Sequence, residues 1–469
     1  MQAPLSADTT DDYEFTVTGG EATITRYTGP GGDVVIPSTL DGYPVVAIAR
    51  VNISERGGAF QLNQSLTSIT IPETVTIIGD HAFWGCTNLT NVEIGSNVTT
   101  IASSAFRGCT RLANVKIPSS VTSIRSLAFR GCTMLESVEI PDSVTEIGDS
   151  AFRDCTSLTE ITIPNSLSSI GQSVFRGCTA LTDVESGSSV ITIGNSAFQD
   201  CTALTSINIP SNVTTIGSSA FRGNSGLTSV NIPEGVTSIG ASAFRDCVNL
   251  ITIDLPQSLD SIGAWAFLNC TNLTNLNVPS GVTSIGSWAF RYCTSLKRAV
   301  FRGSVPSMGP DVFTDTASAF SVFYFDEAAG FTSPTWEGYP AINLGSPRSF
   351  TDWLIENEVL SSTYTDPASD LNHDGVNLLM AYALDLEPRE NLSASMPQAA
   401  FSEEELTMTF FGDQPGVTYA VELSTDLINW STEEVVLSEP DSEGIRSATV
   451  DTDGIEAAFL RLVVEDTAP

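Results

Sequence analysis

Seven arginines fall in one register of this chain: Arg107, Arg130, Arg153, Arg176, Arg222, Arg245 and Arg291, spaced by 23 residues or twice that. A row of guanidinium groups is chemistry for anions, because each planar fork matches a carboxylate or sulfate. Like charges a few ångströms apart also repel unless compensated. Two readings follow. Each guanidinium pairs with Asp154, Asp200 or Asp246 on a neighbouring repeat, or caps the carbonyls of a short turn. Alternatively, the row binds an anionic polymer such as a sulfated or carboxylated glycan. A second chemistry lies in Asp370, Asn372, Asp374 and Val376 around Gly375. Oxygens at alternate positions converge on calcium, and the glycine permits the sharp turn. A structural calcium ion is the only cofactor the sequence offers. The two histidines, His81 and His373, are far apart in the chain, and no GxSxG, HExxH or phosphate-binding loop is present. The reading is of a protein that is not an enzyme, with no catalytic residues.

What positions these groups is a repeat. Phenylalanine recurs at Phe83, Phe106, Phe129, Phe152 and onward to Phe290. Cysteine recurs at Cys86, Cys109, Cys132, Cys155, Cys178, Cys201, Cys247, Cys270 and Cys293, with Asn224 breaking the column. A fixed period of this size predicts a solenoid. The unit reads LxxIxIPxxVTxIGxxAFxxCxx. In Leu112–Ile117 the apolar residues alternate toward one face while Asn114 and Lys116 point to the other, and Pro118 ends the pairing. Val121 and Ile124 form a second short extended piece. Gly148, Gly171, Gly194, Gly217, Gly240, Gly263 and Gly286 follow it, where a sharp turn is expected. Ala128, Phe129 and Cys132 are expected to bury one helical or 3₁₀ turn. No coil buries its own apolar face, so stacking must supply the core. The nine cysteines then point inward as a ladder of free thiols rather than disulfides, since parallel Cβ vectors disfavour bridging. They also lack the spacing of a metal site.

The pattern of AF, a following C and LxxIxIP, repeated in register over about residues 30–345, resembles the BspA-type (Treponema pallidum-type) leucine-rich repeats of bacterial surface proteins. The resemblance implies a mainly β solenoid of parallel ladders and short helical or 3₁₀ turns. It also implies attachment or binding to host or matrix proteins, without shared catalytic residues. Departures are Gly95 and Gly187 in the proline column, Ala102 and Arg125 in the glycine column, and Ser186 in the last apolar strand slot.

The chain divides into five parts. Residues 1–60 form an N-terminal β-hairpin cap, with alternation around Gly19-Gly20, and a degenerate coil; Arg50 to Gln64 reads as a loop that interrupts the repeat. Residues 61–298 are the regular solenoid. In residues 299–345 the period fails, and Phe323, Tyr324, Phe331, Trp336 and Tyr339 are bulky enough to seal the open end. Residues 346–395 are a linker and the acidic segment, whose DxNxDG spacing is similar to the first half of an EF-hand or dockerin loop. The twelfth position of that loop is Ala381 instead of a bidentate glutamate, which leaves Asp366 or Asp385 to substitute; a true dockerin has two such loops, so cohesin docking is not expected. Residues 396–469 alternate apolar and polar, predicting a small antiparallel β-sandwich. YAVELSTDLINW and FLRLVV in it resemble C-terminal modules of exported Verrucomicrobia-like bacterial proteins.

The net charge of −35, with 20 basic against 55 acidic residues, argues against nucleic acid or an anionic membrane as partner. No apolar run is long enough to span a bilayer, so membrane insertion is not expected. Met1 to Asp12 reads as the start of a mature exported chain, which points to secretion or the cell surface. The strand face, from Ser68 to Asn277, is small, polar and mildly acidic and has no aromatic residue, which disfavours sugar stacking there. The functional expectation is an exported, non-catalytic binding or adhesion protein contacting an extracellular protein or anionic glycan. Two alternatives are homotypic self-association into a filament or surface layer, and an accessory polysaccharide-binding role.

Overall fold

A computed structural model describes residues 10–49, 57–325 and 328–343, together with residues 399–401, 405–411, 417–424, 435–437, 445–451 and 459–466. The chain forms two compact units, Met1–Ile342 and Asn343–Pro469.

The first unit is a β-solenoid. Each coil makes three runs, as in the coil built from the strand Asn114–Lys116, the two-residue strand Ser123–Ile124 and the turn run that ends at Cys132. Identical slots pair in parallel from coil to coil: Asn114 with Ser137, Ser123 with Glu146, and Ile124 with Ile147. The two-residue strands make long ladders, one of them running unbroken from Ser169–Ile170 to Ser307–Met308. The first strands pair only in short groups, such as Asn114–Lys116 with Ser137–Glu139 and Glu160–Ile163 with Asp183–Ser186. At the N-terminus, Tyr13–Thr18 and Glu21–Tyr27 form an antiparallel hairpin, and the second of these strands joins Tyr43–Ile48 in parallel. The hairpin therefore covers the first coil while extending its ladder.

The core is a column of rings. Phe83 through Phe313 stack at centroid separations of 5.1–5.8 Å with planes 2–15° apart. Phe60 continues the column at the N-terminal end and Tyr27 stacks on it, with centroids 4.7 Å apart. At the other end the geometry changes: Tyr339 meets Phe313 and Phe320 edge-on, at 87° and 88°. Offset stacking extends a column, and an edge-on ring closes it.

The phenylalanine register thus extends beyond Phe83 and Phe290, where the regular unit stops. Ala59-Phe60, inside the segment read as a loop, is the turn of a coil, one period before Phe83. Phe313, one period after Phe290, continues the stack. The strands Arg298–Phe301 and Ser321–Tyr324 continue the parallel ladder through residues read as a cap.

Two local expectations are corrected. The turn run is not helical; among the described residues the only helix is the 3₁₀ turn Thr10–Asp12. In the Phe106 coil, Ala105, Arg107 and Cys109 donate back to Ala102, Ser104 and Phe106, at 3.1–3.2 Å. Ser104, Phe106 and Gly108 donate instead to Ser126, Ala128 and Arg130 of the next coil, at 2.8–3.0 Å. Left-handed backbone at Ser104 (φ 58°) and Gly108 (φ 72°) breaks any helical run. Alternate amides therefore close turns within the coil while the others stitch it to its neighbour. The glycine column is also explained differently. Gly148, Gly240 and Gly286 do not have left-handed φ. A Cβ at Gly148 would stand 2.4 Å from Ser126 N, and one at Gly240 2.5 Å from Gly217 C. Glycine is needed there for close approach to the preceding coil, not for a special turn.

The thiols are buried and free. Each also has a role as a donor: Cys109, Cys132 and Cys155 direct Sγ to the carbonyls of Phe83, Phe106 and Phe129, at 3.2–3.3 Å. Those carbonyls also accept the amides of Cys86, Cys109 and Cys132. Burial pushes the Cys132 thiol up to about 12. Thiolate chemistry is therefore remote at neutral pH. Where Asn224 replaces cysteine, its Oδ1 accepts the Cys201 amide at 2.8 Å.

In the second unit all described strand pairs are antiparallel. Glu405–Phe411 pairs with Ala399–Phe401 and Ile445–Asp451, and the latter pairs with Val436–Leu437. Val417–Ser424 pairs with Phe459–Asp466.

Candidate functional site

The turn face carries the arginine row. Arg107, Arg130, Arg153, Arg176, Arg222, Arg245 and Arg291 are all half-buried, each one residue after the core phenylalanine. Six of them lie within 3.2–4.0 Å of an aspartate. Arg130 and Arg153 share Asp154, Arg176 meets Asp200, Arg222 and Arg245 share Asp246, and Arg291 meets Asp315. Arg107 lies over the Trp84 ring, 5.5 Å from its centroid. These aspartates occupy the slot that glycine fills in other coils, and they keep its left-handed backbone: φ is 61° at Asp154 and 74° at Gly177. An aspartate there is costlier for the backbone than glycine, and the partly exposed ion pairs offset only part of that cost. The net result is a row of seven guanidinium groups interspersed with four carboxylates rather than a bare positive stripe. Asp315 was not anticipated, because its coil was read as part of the cap.

On the strand face, the ladder is interrupted between Ser137–Glu139 and Glu160–Ile163. A groove of about 570 Å³ lies there, with Glu139, Asp142, Glu160, Asp183 and Glu185 in its walls. Glu139, Glu160, Asp183 and Glu185 come from outward strand slots of successive coils and Asp142 from the turn after the first of them; the parallel register places Glu160 beside Asp183 and Thr162 beside Glu185. The arrangement is an acidic, shallow, open surface. Among the described residues no group of three or more His, Cys, Asp or Glu has the geometry to hold a metal ion.

The turn face changes near its C-terminal end. The slot two residues before each core phenylalanine holds Ser150, Ser173, Ser196, Ser219 and Ser242 in successive coils, then Trp265 and Trp288. The two indoles lie 5.7 Å apart. Trp288 Nε1 donates to Asp311 at 3.0 Å. His81 occupies the same slot near the other end, its ring 5.3 Å from that of Trp84. This aromatic pair escaped the sequence reading, although lining up outward slots by the period reveals it. Asp370, Asn372, Asp374, Val376 and His373 lie outside the described residues. No helix among the described residues is long and apolar enough to cross a membrane.

A leucine-rich repeat protein from Bacteroides ovatus shares 25% identity, with a TM-score of 0.49, over 73% of this chain and 100% of its own. A leucine rich cell surface protein from Faecalibacterium prausnitzii shares 26%, with a TM-score of 0.41, over 72% and 99% respectively. A T. pallidum leucine rich repeat protein shares 26%, with a TM-score of 0.27, over 57% and 91%. No curated protein matches the chain. The BspA type leucine rich repeat region matches residues 56–182, 122–250 and 221–328, more than half of the 469 residues. With its 23-residue coils, its ring column and this match, the chain belongs to the BspA-type leucine-rich repeat family.

Proposed function

We propose that this is a non-catalytic binding or adhesion protein that works outside the cell or at its surface, and that its strand face takes a basic region of an extracellular protein. The observation that carries the reading is the acidic groove bounded by Glu139, Glu160, Asp183 and Glu185. Those side chains project from a backbone fixed by the ring column, so little ordering is lost on binding. The groove is open and shallow, which suits a protein surface better than a small substrate. Aspartate partners make the arginine row the weaker candidate for an anionic glycan.

The test is biolayer interferometry of the full chain against a panel of extracellular-matrix proteins at low and high salt. Capture that weakens as salt shortens the Debye length is expected, with a loss of about tenfold in a Glu139→Gln, Glu160→Gln, Asp183→Asn, Glu185→Gln variant. The reading fails if no protein is captured at either salt, or if the variant binds as tightly as the parent.

A further inference from the structure

The outward slots of a solenoid are not constrained by its core, so a residue that costs stability there and gives the core nothing marks a surface with another use. Trp265 and Trp288 are such residues. Both have left-handed backbone, φ 59° and 58°, in a slot where most earlier coils place serine and only His81 and Leu127 are other large residues. Bulky side chains are genuine outliers in that conformation. Both are half-buried, as are Leu268 and Asn269 beside them. The same two coils depart from the pattern at further slots of this face. Leu268 stands in the arginine row, and Asn269 and Tyr292 stand where the other coils have glycine or aspartate. Tyr292 is 42% exposed.

The departures converge on one chemistry. The two indoles follow one another from coil to coil, with centroids 5.7 Å apart and planes tilted by 42°. The bond to Asp311 fixes the plane of Trp288. Arg291 is neutralised by Asp315 at 3.2 Å and lies 4.6 Å from the centre of the Tyr292 ring. The patch therefore combines flat aromatic rings with a phenol and a carboxamide, and carries no uncompensated positive charge. Pyranose rings present apolar C–H faces to such strips and hydroxyls to such polar edges. A strip running from coil to coil suits a linear chain of sugars better than a single one.

We propose that Trp265 and Trp288, flanked by Asn269 and Tyr292, form a binding strip for a neutral polysaccharide, with the indoles stacking on successive pyranose rings. This concerns a different face from the acidic groove, and its test uses different ligands and variants, so either proposal can fail alone.

The experiment is affinity electrophoresis of the full chain through gels containing barley β-glucan, arabinoxylan or galactomannan, with heparin as the anionic comparison. Trp265→Ser and Trp288→Ser restore the residue that earlier coils use in this slot, and thermal unfolding followed by circular dichroism checks that both variants fold. Retardation by at least one neutral polysaccharide is expected. It should persist at about 0.5 M salt, weaken about tenfold or more in each tryptophan variant, and be unchanged by Arg130→Ser. The proposal is overturned if none of the three retards the chain, if the folded tryptophan variants are retarded like the parent, or if only heparin retards it and salt abolishes the effect.

Discussion

The inward slots of the coils and the outward slots of the turn face use the same backbone but obey different rules. Inside, the phenylalanine slot holds one residue type from Phe60 to Phe313, because each ring is packed between the rings above and below it. Outside, the neighbouring slot passes from serine to tryptophan within one coil, and the ring column is undisturbed: Phe244 and Phe267 still stack at 5.3 Å and 3°. The contrast teaches that a stacked core separates stability from recognition. A surface slot can change identity without any adjustment of the residues beneath it.

Breaking the interior should have the largest effect. Phe152→Ala removes a fully buried ring from mid-column and is expected to cost about 3–5 kcal/mol, measured by urea unfolding; Trp288→Ser in the same assay should cost nothing. A loss below about 1 kcal/mol for Phe152→Ala would mean that the column does not hold the coils together.

The glycine column sharpens the comparison at a smaller scale. A Cβ at Gly240 meets backbone at 2.5 Å, whereas one at Gly171 meets the Asp149 side chain at 3.3 Å. Gly240→Ala should therefore destabilise by about 1–3 kcal/mol, and Gly171→Ala by only a few tenths. Equal effects would return the explanation to chain turning.

The weakest effect at neutral pH lies in the thiols. For Cys132, an ordinary value of 9.0 rises to about 12 on burial. Its contribution is complete below pH 9.0 and is lost as pH climbs toward 12, because the unfolded chain releases the proton first. Unfolding free energy should therefore fall from pH 9 to pH 12, and Cys132→Ala should fall less steeply. Parallel pH profiles would show that the thiols are not differentially protonated between the two states.

The column was legible in the sequence because burial repeats identity: phenylalanine fills its slot in every coil and cysteine fills its own in all but the Asn224 coil, so Phe106, Phe129, Cys109 and Cys132 announce themselves. Phe60 and Phe313 keep the period, but their neighbours depart from the unit, so the pattern is faint there. The turn run was misread because Ala128, Phe129 and Cys132 have the spacing of a helical face, while the fate of alternate amides depends on the next coil. The arginine partners Asp154, Asp200 and Asp246 were legible from the period. The acidic groove was not, because it arises where the ladder opens between strands of ordinary sequence. Trp265 and Trp288 do not belong to the repeating pattern and are legible only as an exception to it.

The alternating amides of the turn run also bear on inheritance. Each coil offers its successor the same donors that it receives from its predecessor's side, as Phe83 to Ala105 and Phe106 to Ala128 show. A duplicated unit inserted between two others meets surfaces it already fits. Such a rod gains or sheds length in steps of one unit while its end seals stay as they are, and the distance between its outward decorations becomes a trait that simple copying can tune.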